Sequence, residues 1–399
     1  MTIDHKLKES FKPVALKDTD LFKPLQLTKT INLQHRVVLP PLTRFRNTIE
    51  NVPTELSTEY YKQRASSKQG GLLITEATFI SPQAGGYVKA PGIYSQAQIE
   101  GWRSVFKAVH EVNSFIFVQL WALGRTAKPD VLARTGQKFV APSEIYTTEE
   151  VKKTALQNDN PIHALTIEEI KQYVKEYAQA AKNAVEAGAD GVEIHSANSY
   201  LLNQFLDPAS NKRTDEYGGS IENRSKFTLE VVDAIVEAIG AEKTAIRFSP
   251  YGVVSGMSGD QPGTLAIYAY LFGELEKRAL EGKRLAFIHL VEPRVTKPTS
   301  SADDGFRDDV SNDFIYSIWK GNVVKAGNYG FTPEDVKKEV KNPKTLIAYG
   351  RLFIANPDLP LRLAEGFPLT DYERDQFYTE GAKGYTDYPT YAQITEQQQ

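Results

Sequence analysis

The segment His195-Ser196-Ala197-Asn198-Ser199-Tyr200 places three chemically complementary side chains within six residues. The histidine and asparagine side chains supply N–H donors that can converge on one oxygen atom, as polarising a carbonyl or binding a phenolate requires. The tyrosine hydroxyl can give up a proton as a general acid. Taken singly, each residue is more often structural: Asn198 can cap the next segment and Tyr200 can pack in a core. Their proximity favours a joint chemical role.

Two turns that contain glycine, Ala326-Gly327-Asn328 and Tyr349-Gly350-Arg351, form a second group of candidates. Backbone N–H groups in such turns, together with a helix N-terminus, can bind a phosphate, and Arg351 can add bidentate contacts to its oxygens. The alternative is that the glycines only make tight turns and that Arg351 is a surface residue. No Gly-x-Gly-x-x-Gly follows a strand, so a mononucleotide such as FMN suits the site better than FAD.

Several function classes find no support in the composition. Cysteine is absent, which excludes disulfides, thiolate catalysis and iron–sulfur clusters. No histidines or carboxylates stand at the spacing typical of metal ligands. No Gly-x-Ser-x-Gly stands at a strand end as the nucleophile turn of a hydrolase. The net charge of −3 gives no electrostatic reason to expect nucleic acid or an anionic membrane as partner. Without an apparent signal peptide or a long apolar run, the expected location is cytoplasmic.

Eight short runs of β-branched, aromatic and other apolar residues are separated by longer segments, several of helical period. Runs that are apolar on both faces suit parallel strands buried beneath helices. Eight strands match a closed barrel, whereas a doubly wound sheet usually has five or six. We therefore predict an α/β fold, a single (β/α)8 TIM barrel. The predicted strands are Val37 to Leu39, Leu72 to Thr75, Phe115 to Leu120, Gly191 to Ile194, Thr244 to Phe248, Phe287 to Val291, Asn322 to Val324 and Thr345 to Ala348.

Helix starts are indicated at four places. Ser95-Gln96-Ala97-Gln98 and Thr166-Ile167-Glu168-Glu169 read as capping boxes, in which side chains and backbone N–H groups satisfy each other reciprocally. Thr332-Pro333 and Asn356-Pro357 each place a cap before a proline at a predicted first helical position.

Two polar stretches interrupt the alternation of strands and helices. The stretch from Pro129 to Asn160 has weak strand signals and is predicted to be a small excursion over one barrel end, after the third strand. The stretch from Thr296 to Asp313 is predicted to be a long loop after the sixth strand. The expected organisation is an N-terminal extension over 1–20, a barrel over 21–391 and a tail over 392–399.

Polar side chains follow several predicted strands at the same end. Reactive residues of a (β/α)8 barrel gather at the C-terminal ends of its strands. Thr43 follows the first strand, Gln119 and Trp121 lie at the end of the third, and Arg247 lies in the fifth. Together with the segment after the fourth strand, they indicate one site at that end of the barrel.

At these residues the chain resembles the Old Yellow Enzymes, particularly those of yeast type. The similarity extends in order from about Leu21 to Tyr391, which is far more specific than any single motif. The matching segments are Pro40 to Arg44, Thr75 to Tyr87, Phe117 to Trp121, Gly188 to His195 with Asn198 and Tyr200, Asn211 to Arg213, Asn223-Arg224, Ala326 to Tyr329, Tyr349 to Arg351 and Gly384 to Pro389.

The resemblance implies a tightly but non-covalently bound FMN. Thr43 would hydrogen-bond the flavin C4 carbonyl, Gln119 would contact the pyrimidine edge, and Arg247 would lie near N1 and the C2 carbonyl. The phosphate would lie against Arg351 and the backbone of the two glycine turns. The implied cofactor-binding set is Pro41, Thr43, Ala77, Gln119, Arg247, Gly327, Asn328, Gly350 and Arg351.

The resemblance also implies an NADPH dehydrogenase that acts as an ene-reductase on α,β-unsaturated carbonyl compounds. NADPH would deliver a hydride to flavin N5, and the flavin would pass it to the β-carbon of the substrate. His195 and Asn198 would bind the carbonyl oxygen, and Tyr200 would protonate the α-carbon. Enones and phenolic ligands are the expected partners, in a homodimer that binds neither nucleic acid nor membrane. Four aromatic residues would shape the substrate pocket, although simple packing is an alternative for them: Tyr87, Trp121, Phe377 and Tyr378.

Two departures from the yeast-type pattern concern substrate range rather than reaction type. Ser199 stands where the pattern has glycine, which can restrict the backbone or crowd the pocket, and Ala77 replaces another glycine. Two other functions stay open at this point. One is a different FMN barrel oxidoreductase, such as a hydroxy-acid oxidase or a dihydroorotate-type dehydrogenase, which would need a base where Tyr200 is better suited to give a proton. The other is a redox-responsive flavoprotein whose catalysis is incidental.

Overall fold

A computed structural model describes residues 12–259, 263–293 and 309–397, and each of the eight predicted strands is present in it. Three strands extend further toward their C-terminal ends than predicted, and the second ends one residue earlier. In chain order, the strands that we label β1 to β8 are Val37–Leu39, Leu72–Ile74, Phe115–Trp121, Gly191–Ser196, Thr244–Phe248, Phe287–Val291, Asn322–Ala326 and Thr345–Ala348.

Parallel pairing joins these strands into a closed ring. Each strand pairs with the next along the chain, and β8 pairs with β1, so the predicted (β/α)8 barrel is confirmed. In register, Arg247 on β5 lies between His195 on β4 and His289 on β6. Gln119 on β3 is level with Glu193 on β4.

The outer layer consists of helices between the strands, which bury their apolar stripes against the barrel. Both predicted capping boxes are confirmed, at Ser95 with Gln98 and at Thr166 with Glu169. The α-helices are Glu55–Ser66, Gln96–His110, Pro129–Arg134, Glu149–Gln157, Ile167–Ala187, Leu201–Leu206, Ile221–Ile239, Gly263–Leu280, Ile315–Ile318, Pro333–Glu339, Arg351–Ala355, Leu359–Glu365 and Tyr391–Glu396. Short 3₁₀ turns are found at Asp20–Phe22, Gly124–Thr126, Ala241–Lys243, Val254–Gly256, Tyr329–Phe331 and Arg374–Gln376.

One of the four predicted helix starts is wrong. The helix predicted to begin at Pro357 begins instead at Leu359, with Asp358 as the preceding residue. The Asn356 side chain does not cap it, because its Oδ1 accepts from the Thr370 N–H at 2.7 Å, while its Nδ2 donates to the carbonyl oxygens of Leu352 and Thr370. Asn356 therefore joins the end of one helix to a distant loop. The start predicted at Pro333 is confirmed.

The excursion after β3 contains more helix than its sequence indicated. The strand Val140–Ala141 pairs in parallel with His163–Ala164, and the helices Pro129–Arg134 and Glu149–Gln157 pack beside this small sheet. The loop predicted over 296–313 lies mostly outside the described residues.

The termini of the described chain pack on the barrel. The N–H groups of Leu16 and Lys17 donate to the carbonyl oxygens of Leu363 and Ala364, and Leu16 is buried. At the other end, the ring of Tyr391 stacks on Phe367 with the centroids 4.1 Å apart. No helix in the described part of the chain is long and apolar enough to cross a membrane.

The barrel interior changes from apolar to polar along its axis. The antiparallel hairpin formed by Leu25–Gln26 and Asn32–Leu33 contributes to an apolar cluster with Phe117 and Phe287. One pleat further toward the C-terminal ends of the strands, the interior carries Gln119, Glu193, Arg247 and His289, all of them buried. Buried polar groups cost free energy unless they find hydrogen-bond partners. This polar layer therefore indicates a functional site at the C-terminal mouth of the barrel.

Candidate active site

Two connected cavities open at the C-terminal ends of the strands. The larger has a volume of about 920 Å³ and the smaller about 230 Å³, and both are lined by Pro41, Asn198, Arg247 and Arg351. The larger one is also lined by Thr43, Tyr87, Ala77, Gln119, Trp121, His195, Tyr200, Phe377 and Tyr378, and the smaller one by Gly327, Asn328 and Gly350. The structure therefore brings together every residue that the sequence predicted for the site.

The turn between β4 and the helix Leu201–Leu206 has two consecutive left-handed residues, Asn198 with φ 54° and Ser199 with φ 65°. The Asn198 N–H donates to Ser249 Oγ at 2.7 Å, and the Ser199 N–H donates to Asn203 Oδ1 at 2.8 Å. These bonds hold a backbone conformation that favours glycine, so the Ser199 that departs from the family pattern carries conformational strain.

The rings of His195 and Tyr200 meet edge to face, with centroids 4.8 Å apart, and Tyr200 meets Trp121 in the same way at 4.9 Å. Burial lowers the pKa of His195 well below its ordinary value, and the nearby charge of Arg247 lowers it further. Burial raises the pKa of the Tyr200 phenol, and Tyr87 adds to this. At neutral pH the imidazole is therefore uncharged with one N–H donor, and the phenol keeps its proton.

A buried polar network forms the floor of the larger cavity. Gln119 Nε2 donates to Glu193 Oε1 at 2.8 Å, and His289 Nδ1 lies 2.8 Å from Glu193 Oε2. Because a carboxylate only accepts, His289 must carry its proton on Nδ1. Burial lowers the pKa of His289.

The smaller cavity is lined by donors suited to an anion. Asn328 takes the left-handed conformation with φ 56°, and its Oδ1 accepts a hydrogen bond from Arg351 Nη2. This bond fixes the Asn328 carboxamide with its Nδ2 group away from Arg351. The Nδ2 group is buried, and no described residue accepts a hydrogen bond from it. Gly350 directly precedes the short helix Arg351–Ala355, and the Arg351 guanidinium lies 5.7 Å from the ring centroid of Tyr372.

A loop over 376–384 supplies Phe377 and Tyr378 to the cavity wall, and Arg46 fastens it. The Arg46 guanidinium donates to the carbonyl oxygens of Gln376, Phe377, Gly381 and Lys383 at 2.7–3.3 Å. Phe377 is buried, whereas Tyr378 stands at the mouth with 62% of its surface exposed.

Several buried polar atoms in the two cavities have no hydrogen-bond partner anywhere in the described ranges. They are Gln119 Oε1, Trp121 Nε1, His195 Nδ1, Arg247 Nε and Asn328 Nδ2. Buried polar atoms in native proteins are almost always paired, so a cluster of unpaired ones on residues that line the same cavities offers hydrogen-bond partners to a polar ligand. Gln119 Oε1 is an acceptor, and Arg247 Nε is a cationic donor. Together they match the alternating N–H and carbonyl groups of a flavin pyrimidine ring. The donors of the smaller cavity match its phosphate, so the residues fit FMN.

Sequence reasoning missed Glu193, His289 and Arg46. The only signal for Glu193 was a charged residue inside an otherwise apolar run, Gly191 to Ile194. The residues described contain no group of three or more His, Asp or Glu side chains that could hold a metal.

Comparison with known proteins shows the family and the fold to which the chain belongs. Residues 20–370 match a family described as the NADH:flavin oxidoreductase / NADH oxidase family. Enoate reductase 1 of Kluyveromyces lactis is 55% identical over 386 residues, which cover 96% of each chain. A probable NADPH dehydrogenase of Candida albicans is 44% identical, over 94% of this chain and 91% of that one. Among solved structures, Old Yellow Enzyme from Pichia sp. AKU4542 superposes with a TM-score of 0.88 at 45% identity, over 94% of this chain and 95% of that one.

Proposed function

Since the chain belongs to the NADH:flavin oxidoreductase / NADH oxidase family and is an enzyme of Old Yellow Enzyme type, we propose that it reduces the C=C bond of α,β-unsaturated carbonyl compounds with NADPH and FMN. The observation that carries the proposal is the placement of His195, Asn198 and Tyr200 in the wall of one cavity with Gln119 and Arg247. This combines carbonyl-binding donors and a protonated phenol with the polar groups that fit a flavin.

In this proposal, Arg351, Asn328 and the backbone of the two glycine turns hold the FMN phosphate. Gln119, Arg247 and Thr43 contact the polar edge of the ring, and Pro41 and Ala77 complete its binding surface. Bound FMN supplies the redox chemistry, because a flavin can accept a hydride from NADPH and release it to an alkene. The positive charge of Arg247 favours the anionic form of the reduced flavin beside it.

The residues after β4 activate the substrate. His195 and Asn198 each donate an N–H to the carbonyl oxygen, which lowers the energy of the negative charge that develops there as the β-carbon is reduced. Tyr200 then gives its proton to the α-carbon, and the phenolate that remains is reprotonated from solvent. Because NADPH and the enone use the same cavity, they bind in turn, and ping-pong kinetics are expected.

The test is an assay of the FMN-loaded protein with 2-cyclohexenone and NADPH, without oxygen. We expect NADPH oxidation to depend on the enone and to yield cyclohexanone in equal amount. A phenol titration provides a second readout, since a phenolate bound over the flavin produces a long-wavelength charge-transfer band. Bound FMN without enone-dependent oxidation would support the redox-responsive binding protein instead.

The proposal includes three further elements. The coenzyme is NADPH rather than NADH, the protein is a homodimer, and its location is cytoplasmic. The similarity to the probable NADPH dehydrogenase of Candida albicans supports the choice of coenzyme. Comparing kcat/KM for the two coenzymes tests it, light scattering during gel filtration tests the second, and imaging of a fluorescently tagged protein tests the third.

A further inference from the structure

We propose that Glu193 is a positioning residue for the flavin: it fixes the orientation of the Gln119 carboxamide, and its charge balances that of Arg247. This inference rests on the proposed function, because it concerns the edge of the FMN ring. Nothing in the reaction described above uses Glu193 directly.

The first step of the argument is the orientation of Gln119. Its Nε2 lies 2.8 Å from Glu193 Oε1, in an interior where both residues have no exposed surface. Turning the carboxamide over would bring Oε1 against a carboxylate oxygen, and two acceptors repel each other at that distance. Glu193 therefore dictates which end of the carboxamide is left for the cavity. That end is Oε1, an acceptor without a partner in the described chain.

The second step is the rigidity of Glu193 itself. Its other oxygen, Oε2, lies 2.8 Å from His289 Nδ1 on β6, two strands away from β4 in the barrel. Neutral His289 donates there, so both carboxylate oxygens are occupied by fixed donors. A side chain held at both oxygens on a barrel strand has little rotational freedom, and it therefore also restricts the Gln119 side chain to which it is hydrogen-bonded.

The third step is charge. Arg247 is 9% exposed, and no carboxylate among the described residues forms an ion pair with it within 4.0 Å. Burial lowers the pKa of Arg247, and the negative charge of Glu193 opposes this effect through the low-dielectric interior. Strand pairing places Glu193 level with Ala245, one pleat below Arg247. The floor of the larger cavity therefore carries one positive and one negative charge.

These steps give two separable expectations. Without the carboxylate charge, Arg247 is less balanced, so the anionic reduced flavin is favoured and the midpoint potential of bound FMN becomes more positive. Without the fixed hydrogen bond, the Gln119 carboxamide can turn over and present N–H groups to the ring's own donor. That mismatch weakens FMN binding by about tenfold, the usual cost of an unmade hydrogen bond at a buried site.

The experiment compares Glu193→Gln, Glu193→Asp and the control Glu292→Gln. Glu292 is also buried, but it lies next to Lys325 outside this network, so its substitution reports the general cost of losing a buried carboxylate. The readouts are the midpoint potential of bound FMN by dye equilibration and the FMN dissociation constant by fluorescence quenching. Thermal denaturation of each apoprotein shows whether the variant is folded.

We expect Glu193→Gln to raise the potential and weaken FMN binding. Glu193→Asp keeps the charge but shortens its reach, so it should weaken binding at an unchanged potential, while Glu292→Gln changes neither. An unchanged potential in Glu193→Gln with FMN bound overturns the charge argument, and unchanged affinity in Glu193→Asp overturns the positioning argument. If Glu193→Gln does not fold, the aspartate variant still decides the latter. Failure of the wild type to bind FMN would instead refute the proposed function.

Discussion

At the scale of single residues, Tyr200 combines two properties that a proton donor to carbon needs. Burial keeps its phenol protonated, and its hydroxyl makes no hydrogen bond with any residue of the described chain that would compete for the proton. It is held in place through its ring, between His195 and Trp121. The hydroxyl can therefore be removed with little change in packing.

Replacing Tyr200 with Phe should slow enone reduction by about 10²–10⁴-fold, the usual contribution of a general acid, and leave reduction of the flavin by NADPH near its wild-type rate. Stopped-flow absorbance measures the two half-reactions separately. The matched control is Tyr177→Phe, since the buried Tyr177 hydroxyl is also without a described partner but lies on the outer helix Ile167–Ala187. Equal loss in both half-reactions would argue that Tyr200 merely shapes the cavity.

Residue types and spacing were sufficient to locate the site but not to describe its support. Polar residues at strand ends stood out against apolar runs, which is why Gln119, His195 and Arg247 were found. Glu193 did not stand out, because its importance depends on barrel register: the pairing of β3 with β4 puts its carboxylate level with Gln119. The positive φ angles of Asn198 and Ser199 likewise depend on the bonds that their N–H groups donate to Ser249 and Asn203, which lie four or more residues away.

At the scale of elements, the sequence predicted the barrel because each strand is a short run in which at most one terminal residue is only partly buried. The small excursion was harder to predict. Its two helices are six and nine residues long, too short to be stable alone, and they depend on burying Leu132 and Ala155 against Phe139 and Ile162. The helix start predicted at Asn356 was wrong because the Asn356 side chain makes a contact between elements rather than a local cap.

The loop over 376–384 should lose its fixed position when Arg46 is replaced with Lys. Burial lowers the pKa of Arg46 to about 10, so the guanidinium stays charged at neutral pH, and its planar fork reaches several carbonyl oxygens that a lysine ammonium cannot reach together. We expect phenol binding to weaken by about tenfold, because Phe377 and Tyr378 line that part of the cavity.

The charge-transfer band reports phenol affinity in this variant, and fluorescence quenching reports FMN affinity, which should stay unchanged. Arg103→Lys on the exposed face of the helix Gln96–His110 serves as the control for the substitution type. A parallel fall in FMN and phenol affinity would mean that Arg46 stabilises the barrel as a whole.

His35 links pH to the stability of the first strand. Its Nδ1 accepts from the Val37 N–H at 3.2 Å, and its Nε2 lies 3.0 Å from the Lys68 carbonyl oxygen, so the neutral ring satisfies both neighbours. Burial lowers the pKa of His35 from 6.5 to about 4. Below pH 6.5 the unfolded chain therefore takes up a proton that the folded protein refuses, and stability falls as the pH drops.

For His35 alone, this linkage removes about 2 kcal/mol of unfolding free energy between pH 7 and pH 5. His35→Gln should lose that part of the dependence, as urea denaturation of both proteins at the two pH values will show. Burial raises the pKa of Glu76 and Glu292 to about 7 and acts in the opposite direction, but these groups are the same in both proteins. An identical drop in the variant would contradict the assignment.

At the scale of the whole molecule, the barrel and its cofactor site are energetically one unit. The two cavities are lined by residues of strands β3, β4, β5, β6, β7 and β8 and by Pro41 just after β1, so a ligand that fills them contacts most of the ring. A ligand that binds only the folded state stabilises it by mass action, by about 2.7 kcal/mol when its concentration is 100 times the dissociation constant. FMN should therefore raise the unfolding free energy of the apoprotein by that amount.

The variant Arg351→Gln separates the stabilisation that the FMN phosphate contributes from the stabilisation that the flavin ring contributes. Losing a charge-assisted contact should weaken FMN binding by about tenfold, and at the same FMN concentration the increment falls to about 1.4 kcal/mol. Riboflavin, which lacks the phosphate, should stabilise wild type and variant equally. Urea denaturation with and without each ligand measures each increment relative to the same protein's own apoprotein, so that any stability lost with the Arg351 contacts to Asn328 and Tyr372 cancels. If the variant lost its response to riboflavin as well, Arg351 would have to act on the ring, and the smaller cavity would no longer be assigned to the phosphate.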